Sequence, residues 1–308
     1  MVIDSQKMAS VAAATAQADI KGRSLWATAR KRFLRNKAAV FGLGLLAFVA
    51  LFAIFGNMIA QWPNDEMDFN IMGMVAEQGG PSIANGHFFG TDDLGRDLFA
   101  RTVQGTQVSL AVGLMGAAIA VIVGTLYGAV AGYFGGRIDS VMMRTVDIIT
   151  AIPYMFVLIL LLVMYGRSMA MLFIGVGLIS WLDMSRIVRG QTLSLKNRDY
   201  IEAARAIGVP SLTIIRRHIL PNLIGVVAVY ATLLVPLMIL TESFISFLGL
   251  GVQEPLTSLG ALISEGAGTI NYGTLWQLAF PLAFFVITLF GFFFVGDGLR
   301  DALDPKDR

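Results

Sequence analysis

Few side chains in this sequence could do chemistry, and the densest group of them lies in the string GTDDLGRD. Asp92, Asp93 and Asp97 fall within six residues of one another, which invites comparison with a metal site. A calcium-binding loop needs acidic residues at alternate positions and a bidentate Glu at its twelfth position, and this string lacks that spacing. Asp and Gly also favour turns and helix caps. We therefore expect a capped turn that begins a helix at the outer surface, and no metal site.

The sequence also lacks the residues and motifs of the common catalytic and nucleotide-binding sites. The sequence has no cysteine and only two histidines, His87 and His218, so thiolate and histidine-based metal sites are excluded. A Walker loop needs Gly-Lys followed by Ser or Thr, and that dipeptide does not occur, nor does H-E-x-x-H. We expect a chain that is not an enzyme and binds no cofactor. A protease with two paired aspartates is the alternative that remains, because such an enzyme needs two carboxylates close in space. Asp147 and Asp183 both fall near the predicted inner face, although neither lies in a protease-like motif.

The elements that must position these residues are membrane helices. Apolar residues make up 56% of the chain, charged residues only 14%, and the mean hydropathy is +0.71. Such a composition is typical of a protein that crosses the membrane several times, and each crossing needs about 20 apolar residues. Six runs qualify, at Ala38 to Ala60, within Val108 to Phe134, Ile148 to Tyr165, Met169 to about Leu182, Leu223 to Phe247 and Leu275 to Val295.

The distribution of basic residues predicts the orientation, because cytoplasmic loops carry an excess of Lys and Arg. With a cytoplasmic N-terminus, only Arg96, Arg101 and Arg167 of the 23 basic residues fall outside. Both ends of the chain are therefore predicted to lie inside, as is the stretch between the fourth and fifth spans.

Ionisable residues within or near spans are candidates for function. Asp147 follows Arg144 by one turn and Asp183 precedes Arg186 by three residues, so local ion pairing is favoured over substrate contact for both. Glu242 has no nearby arginine in the sequence. It could face a translocation path or a subunit interface, and Asp183 is kept as a second candidate for the same role.

Small residues recur every fourth position in the second span and form a stripe along one helical face. A second helix can approach closely along such a stripe. The partner could be another helix of this chain or a second membrane subunit, and the sequence does not separate the two. The members of this packing stripe are Gly116, Ala120, Gly124, Gly128 and Gly132.

The N-terminal string SLWATARKRFLRNK predicts an amphipathic helix ahead of the first span. Leu25, Ala29 and Phe33 share one face, whereas Lys31 and Arg35 lie on the remainder. Helices of this kind rest on membrane surfaces and are held there by anionic lipid. Binding to a partner protein is the alternative.

The segment YIEAARAIGVPSLTIIRRHILPN is polar yet lies between two spans. Ile201, Ala204 and Ile207 predict one apolar helical face, and Glu202 and Arg205 a polar face with favourable spacing. Gly208 suits the end of that helix. Pro210 suits the start of a second helix, in which an apolar face is predicted for Leu212, Ile215 and Ile219, and Pro221 marks entry into the fifth span. From these features alone, an amphipathic loop on the bilayer fits as well as a docking element.

The residue types of this segment resemble the EAA loop of ABC importer permeases. The matching positions are Glu202, Ala203, Ala204, Gly208, His218, Leu220 and Pro221. The strings HFFGTDDLGRDLFARTVQGTQVSLAVG, ESFISFLGLGVQEP and GDGLRDALDPKDR are also similar to C-type subunits of oligopeptide and dipeptide permeases. The likeness extends from about Gly22 to Arg308. Leu259 departs from it, since relatives often carry tryptophan there.

The resemblance implies an all-α integral membrane fold, the type I ABC importer transmembrane domain with a cytoplasmic coupling helix. It implies a cytoplasmic segment at 1–37, a first span and periplasmic loop at 38–104, a core at 105–298 and a tail at 299–308. It further implies import through the bacterial cytoplasmic membrane with four kinds of partner: a homologous second permease, two ATPase subunits that use ATP and Mg, an extracytoplasmic peptide-binding protein, and membrane lipid. No nucleic acid is expected.

The resemblance leaves the cargo open, since relatives carry oligopeptides, dipeptides, murein fragments or nickel. An ion channel or ion-coupled transporter is the rival from another class. It would need polar residues recurring along the spans, and only Asp147, Asp183 and Glu242 are available.

Overall fold

The computed structural model describes residues 25–303, and its regular structure there is helical apart from two isolated β-bridges. In chain order the helices are α1 (Leu25–Arg35), α2 (Lys37–Ile59), α3 (Val75–Gln78), α4 (Leu98–Phe134), α5 (Gly136–Thr150), α6 (Tyr154–Tyr165), α7 (Met169–Leu195), α8 (Asp199–Ala206), α9 (Ser211–Ile214), a π-helical turn (Ile215–Ile219), α10 (Leu220–Phe247), α11 (Leu259–Thr269), a 3-10 turn (Ile270–Tyr272) and α12 (Trp276–Leu303).

The prediction of an all-α membrane chain is confirmed. Five helices among the described residues are long and apolar enough to cross a membrane, and the count reaches six if α5 and α6 together form one span. The five are α2, α4, α7, the continuous helix from Ser211 to Phe247, and α12.

The predicted third span, Ile148 to Tyr165, is wrong as a single helix. The chain bends by 75° between α5 and α6. Pro153 lies in the break, and a proline disfavours helical conformation in the residue before it. The 12-residue α6 is also too short to cross alone, so any crossing here combines two helices at an angle.

Other helices extend beyond their predicted spans. Helix α4 begins at Leu98, ten residues before the predicted limit of Val108, because the Asp97 carboxylate caps it. Helix α7 continues through Leu195 rather than ending near Leu182, and α12 continues to Leu303. Hydropathy marks only the part of a helix that is apolar, so extensions that contain polar residues are missed.

The core is built around α4, which packs along α7 and also contacts α10. Helix α12 packs against α2, α10 and α11. The predicted amphipathic helix is present as α1, and it packs against α12, with Ala29 buried. Part of its apolar face therefore contacts protein, whereas Arg30, Lys31 and Arg35 are exposed. Contact with lipid stays a prediction.

Candidate functional site

The predicted EAA-like segment folds as a helix, a glycine turn and a second helix. Helix α8 ends at Ala206, Ile207 is its C-cap residue, and Gly208 follows with a φ of +81°. The Val209 amide donates to the Ala204 carbonyl at 3.0 Å, and the Gly208 amide donates to the Arg205 carbonyl at 3.0 Å. These two bonds form a Schellman motif, which requires a left-handed residue where glycine is favoured. The predicted role of Gly208 in ending this helix is confirmed.

One face of α8 packs onto the long helices. Ile201 and Ala204 are buried in a cluster with residues of α4, α7 and α10. The Arg205 guanidinium lies 4.7 Å from the ring centre of Tyr133, at the end of α4. Arg205 therefore does not pair with Glu202 as predicted, because the aromatic ring beneath it offers a cation–π contact. Helix α8 is thus connected to the end of α4 by apolar and cation–π contacts together.

The opposite side of the segment is open. Glu202 and Ala203 are exposed, and the Glu202 carboxylate has no ion-pair partner within residues 25–303. Ile207 and Leu212 are 81% and 74% exposed, whereas the other members of their two predicted apolar faces are buried. Ile215 and Ile219 are buried in line with that face, and Ile214 is buried beside them, since the helix restarts at Ser211. Two large apolar side chains and a carboxylate therefore flank the Gly208 turn.

The second helix leads directly into α10. Pro221 was predicted to mark entry to the span, but the helix already runs from Ser211 to Phe247. A π-helical turn lies directly before the proline, and in it the Leu220 amide donates to the Ile215 carbonyl, five residues back. A proline has no amide hydrogen to donate, and its ring crowds the carbonyl four residues before it. His218 is half-buried beside Tyr200, with ring centres 6.4 Å apart.

The small-residue stripe faces α7 of the same chain along most of its length. All five members are buried: Gly116, Ala120, Gly124, Gly128 and Gly132. A Cβ on Gly124 would lie 2.6 Å from the Met184 Cβ, and one on Gly132 would lie 2.8 Å from the Arg189 carbonyl oxygen. Close packing within the chain thus uses this stripe, in line with the first of the two sequence interpretations.

Glu242 is enclosed by the chain itself and is 0% exposed. Its carboxylate accepts hydrogen bonds from Ser109 of α4 at 3.0 Å and from Ser246 at 2.6 Å, with Ser243 at 3.3 Å. The Ser109 hydroxyl in turn accepts from the Leu259 amide at the start of α11. In this conformation Glu242 joins α10, α4 and α11, and faces neither an open path nor an outer face.

Asp183 lies on the surface with its side chain 78% exposed, 3.7 Å from Arg186. Arg186 also contacts Asp147 at 3.0 Å. The predicted partner of Asp147 was Arg144, one turn away, but α5 and α7 approach each other and bring Arg186 closer. Asp183 is therefore accessible from outside the chain, whereas Glu242 is not.

The string GTDDLGRD forms the capped turn that the sequence predicts. Asp97 accepts from the Ala100 amide at 2.8 Å, and Asp92 accepts from the Leu94 amide at 2.9 Å. Sequence reasoning missed the ion network around it. Both Arg96 and Arg101 contact Asp92, and these arginines reach Glu254 and Glu265 respectively, more than 150 residues away. No local spacing could show those long-range pairs.

Comparison with known proteins decides the class of this chain. A family model described as "Binding-protein-dependent transport system inner membrane component" matches residues 124–308. A second, described as "N-terminal TM domain of oligopeptide transport permease C", matches residues 24–76. This chain belongs to the binding-protein-dependent permease family. Its fold is therefore the type I ABC importer transmembrane domain, and it is a transport component that spans the membrane several times.

Curated relatives cover nearly the whole permease. It is 51% identical over 289 residues to "Oligopeptide transport system permease protein OppC" of Haemophilus influenzae, covering 94% of this chain and 91% of that protein. It is 51% identical over 290 residues to the Escherichia coli K12 protein of the same name, covering 94% of each. It is 44% identical over 278 residues to "Dipeptide transport system permease protein DppC" of Bacillus subtilis, covering 90% of this chain and 85% of that protein.

Proposed function

We propose that this permease translocates oligopeptides as one membrane subunit of an ATP-driven importer. It pairs with a homologous permease, receives cargo from a peptide-binding protein outside, and is driven by two ATPase subunits that bind ATP and Mg. Both chain ends lie in the cytoplasm. Residues 1–37 precede the first span, 38–104 hold it and the outer loop, 105–298 form the core and 299–308 the tail.

The segment around Gly208 is the observation that carries this proposal. One side of α8 is buried against α4, α7 and α10. On its other side Glu202 and the apolar Ile207 and Leu212 are exposed, and in the proposed orientation this side faces the cytoplasm. Exposed apolar side chains beside a charged acceptor are typical of a protein contact. An ATPase subunit that moves against this surface would therefore push on α4, α7 and α10 together. A loop that merely rests on the bilayer would not need the contact between Arg205 and Tyr133.

The oligopeptide cargo rests on the printed names of the two relatives at 51% identity. The dipeptide name of the relative at 44% makes shorter peptides the second candidate. An ion-coupled transporter would need polar groups recurring along its spans, whereas the one fully buried carboxylate among the described span residues, Glu242, is engaged with serine hydroxyls.

Substituting Gly208 tests the coupling role. A Cβ at this position meets no atom within 4 Å, so the first side-chain atom of a substituted residue has open space. Gly208→Trp and Gly208→Ala share the strain of a positive φ, about 1–2 kcal/mol, but only Trp adds bulk at the docking surface. In the assembled importer we expect substrate-stimulated ATP hydrolysis to be lost in Gly208→Trp and largely kept in Gly208→Ala. Retained stimulation in Gly208→Trp would contradict the proposal.

A further inference from the structure

A polar cavity lies between the end of α2 and the first turns of α4, remote from the Gly208 turn. Its volume is about 330 Å³, at the lower end of the range for ligand pockets. Five carboxamide side chains line it together with Trp62, and its lining contains no charged residue. The carboxamides belong to Asn57, Gln61, Asn64, Gln104 and Gln107.

Two of these amides are held in place by one of their polar atoms, which leaves the other available. The Gln107 Nε2 donates to the Ala53 carbonyl at 2.6 Å, so its Oε1 remains as an acceptor. The Gln104 Oε1 accepts from the Thr257 amide at 3.2 Å, so its Nε2 remains as a donor. The two residues are three positions apart on α4 and lie on the same side of the helix. One lining residue therefore has a free donor and its neighbour a free acceptor.

The remaining three amides are accessible from outside the chain, since Asn57 and Gln61 are exposed and Asn64 is half-buried. Within residues 25–303, the side chains of Asn57, Gln61 and Asn64 have no hydrogen-bond partner. A carboxamide offers the same groups as a peptide bond, an N–H donor and a C=O acceptor. Without a charged residue, the cavity offers no opposite charge to a phosphate or to a charged side chain. Its chemistry matches a ligand that is uncharged and alternates donors with acceptors.

We infer that this cavity binds a short stretch of peptide main chain at the outer face. The inference rests on the proposed function, because it places the cavity at the outer end of α2 and brings peptides there. The main chain could belong to the cargo or to a loop of the binding protein, and the chemistry is the same. Recognition through amides reads the backbone and ignores side-chain identity, which suits an importer of varied peptides.

Thiol protection tests this site, since the chain has no cysteine of its own. Ala60 lines the cavity, so Ala60→Cys places a single thiol there and keeps all five amides. Ala76→Cys, at an exposed alanine of α3 outside the cavity lining, is the matched control. The assembled importer in nanodiscs is labelled with a membrane-impermeant maleimide in the presence of triglycine, of ligand-free binding protein, or of maltotriose.

We expect at least threefold slower labelling of Ala60→Cys, and unchanged labelling of Ala76→Cys. Protection by triglycine alone identifies the cargo as the source, and protection by the binding protein alone identifies its loop. Adding Asn57→Leu should raise the concentration for half-protection about two- to tenfold, the effect of one neutral hydrogen bond, whereas Asn57→Gln should restore it.

Three results would overturn the inference: no protection by either probe, equal shielding of both thiols, or protection by maltotriose alone. Uptake of a labelled pentapeptide by the unmodified importer is measured in parallel. If uptake is normal and protection is absent, this inference fails and the proposed function stands. If uptake itself is absent, the proposed function fails.

Discussion

Gly124→Ala should destabilise this permease even though alanine is the better helix former. The new Cβ would lie 2.6 Å from the Met184 Cβ and 2.7 Å from the Trp181 carbonyl oxygen. Both atoms are part of, or bonded to, the backbone of α7, so no side-chain rotation can make room. The two helices must separate, and overpacking of this kind costs about 1–3 kcal/mol.

Gly190→Ala is the matched control. Gly190 lies inside α7, and a Cβ there meets no atom within 4 Å. Both substitutions gain the same helix-propensity advantage, up to about 1 kcal/mol, so that gain cancels when the two variants are compared. We expect Gly124→Ala to be about 1–3 kcal/mol less stable than Gly190→Ala, which lowers its Tm by several degrees.

The assay uses the purified chain alone in detergent, without the partner permease. The monodisperse fraction is followed by size-exclusion chromatography after heating to a series of temperatures. Equal Tm values for the two variants would refute the packing argument. If Gly124→Ala were as stable as Gly190→Ala and yet failed to assemble with the partner, the stripe would serve the subunit interface instead.

Two further substitutions test the buried and outer polar contacts by the same heating assay. Glu242→Leu removes the acceptor for Ser109, so it should be about 1–3 kcal/mol less stable than Glu242→Gln, and equal stabilities would contradict this. The hydrogen bond from Arg96 holds the pKa of Glu254 below its usual 4.5. That contribution, under about 1 kcal/mol for an exposed carboxylate, is present above pH 4.5 and lost as the pH falls through the lowered pKa. Glu254→Gln should therefore match wild type only at low pH, and a stability difference that persists there would argue against it.

Much of the fold could be predicted from the sequence, because long apolar runs leave few alternatives in a membrane. The Gly208 turn was predictable too, since a Schellman motif depends on local residues alone. The bend at Pro153 was not, because hydropathy counts apolar residues and ignores whether a helix continues. The surroundings of Glu242 were also beyond prediction: Ser109 lies more than a hundred residues away, and only tertiary packing brings its hydroxyl to the carboxylate.

The exposure of Ile207 and Leu212, which we propose to contact an ATPase subunit, was equally hard to predict. Ile207 and Leu212 fit apolar periodicities, and periodicity assigns such residues to a buried face. Both are exposed in the single chain. An amphipathic pattern shows that a helix has an apolar face, but it does not show what covers that face. It therefore does not distinguish a core position from a docking surface.

ATP-dependent uptake into vesicles is the most direct test of the proposed function. The vesicles contain this permease, its partner permease, the ATPases and the binding protein, and the cargoes are labelled di-, tri- and pentapeptides and nickel. We expect strong pentapeptide uptake that disappears without ATP. Uptake limited to dipeptides or nickel would keep the mechanism and change the cargo. Uptake that persists without ATP or without the ATPase subunits would contradict the account.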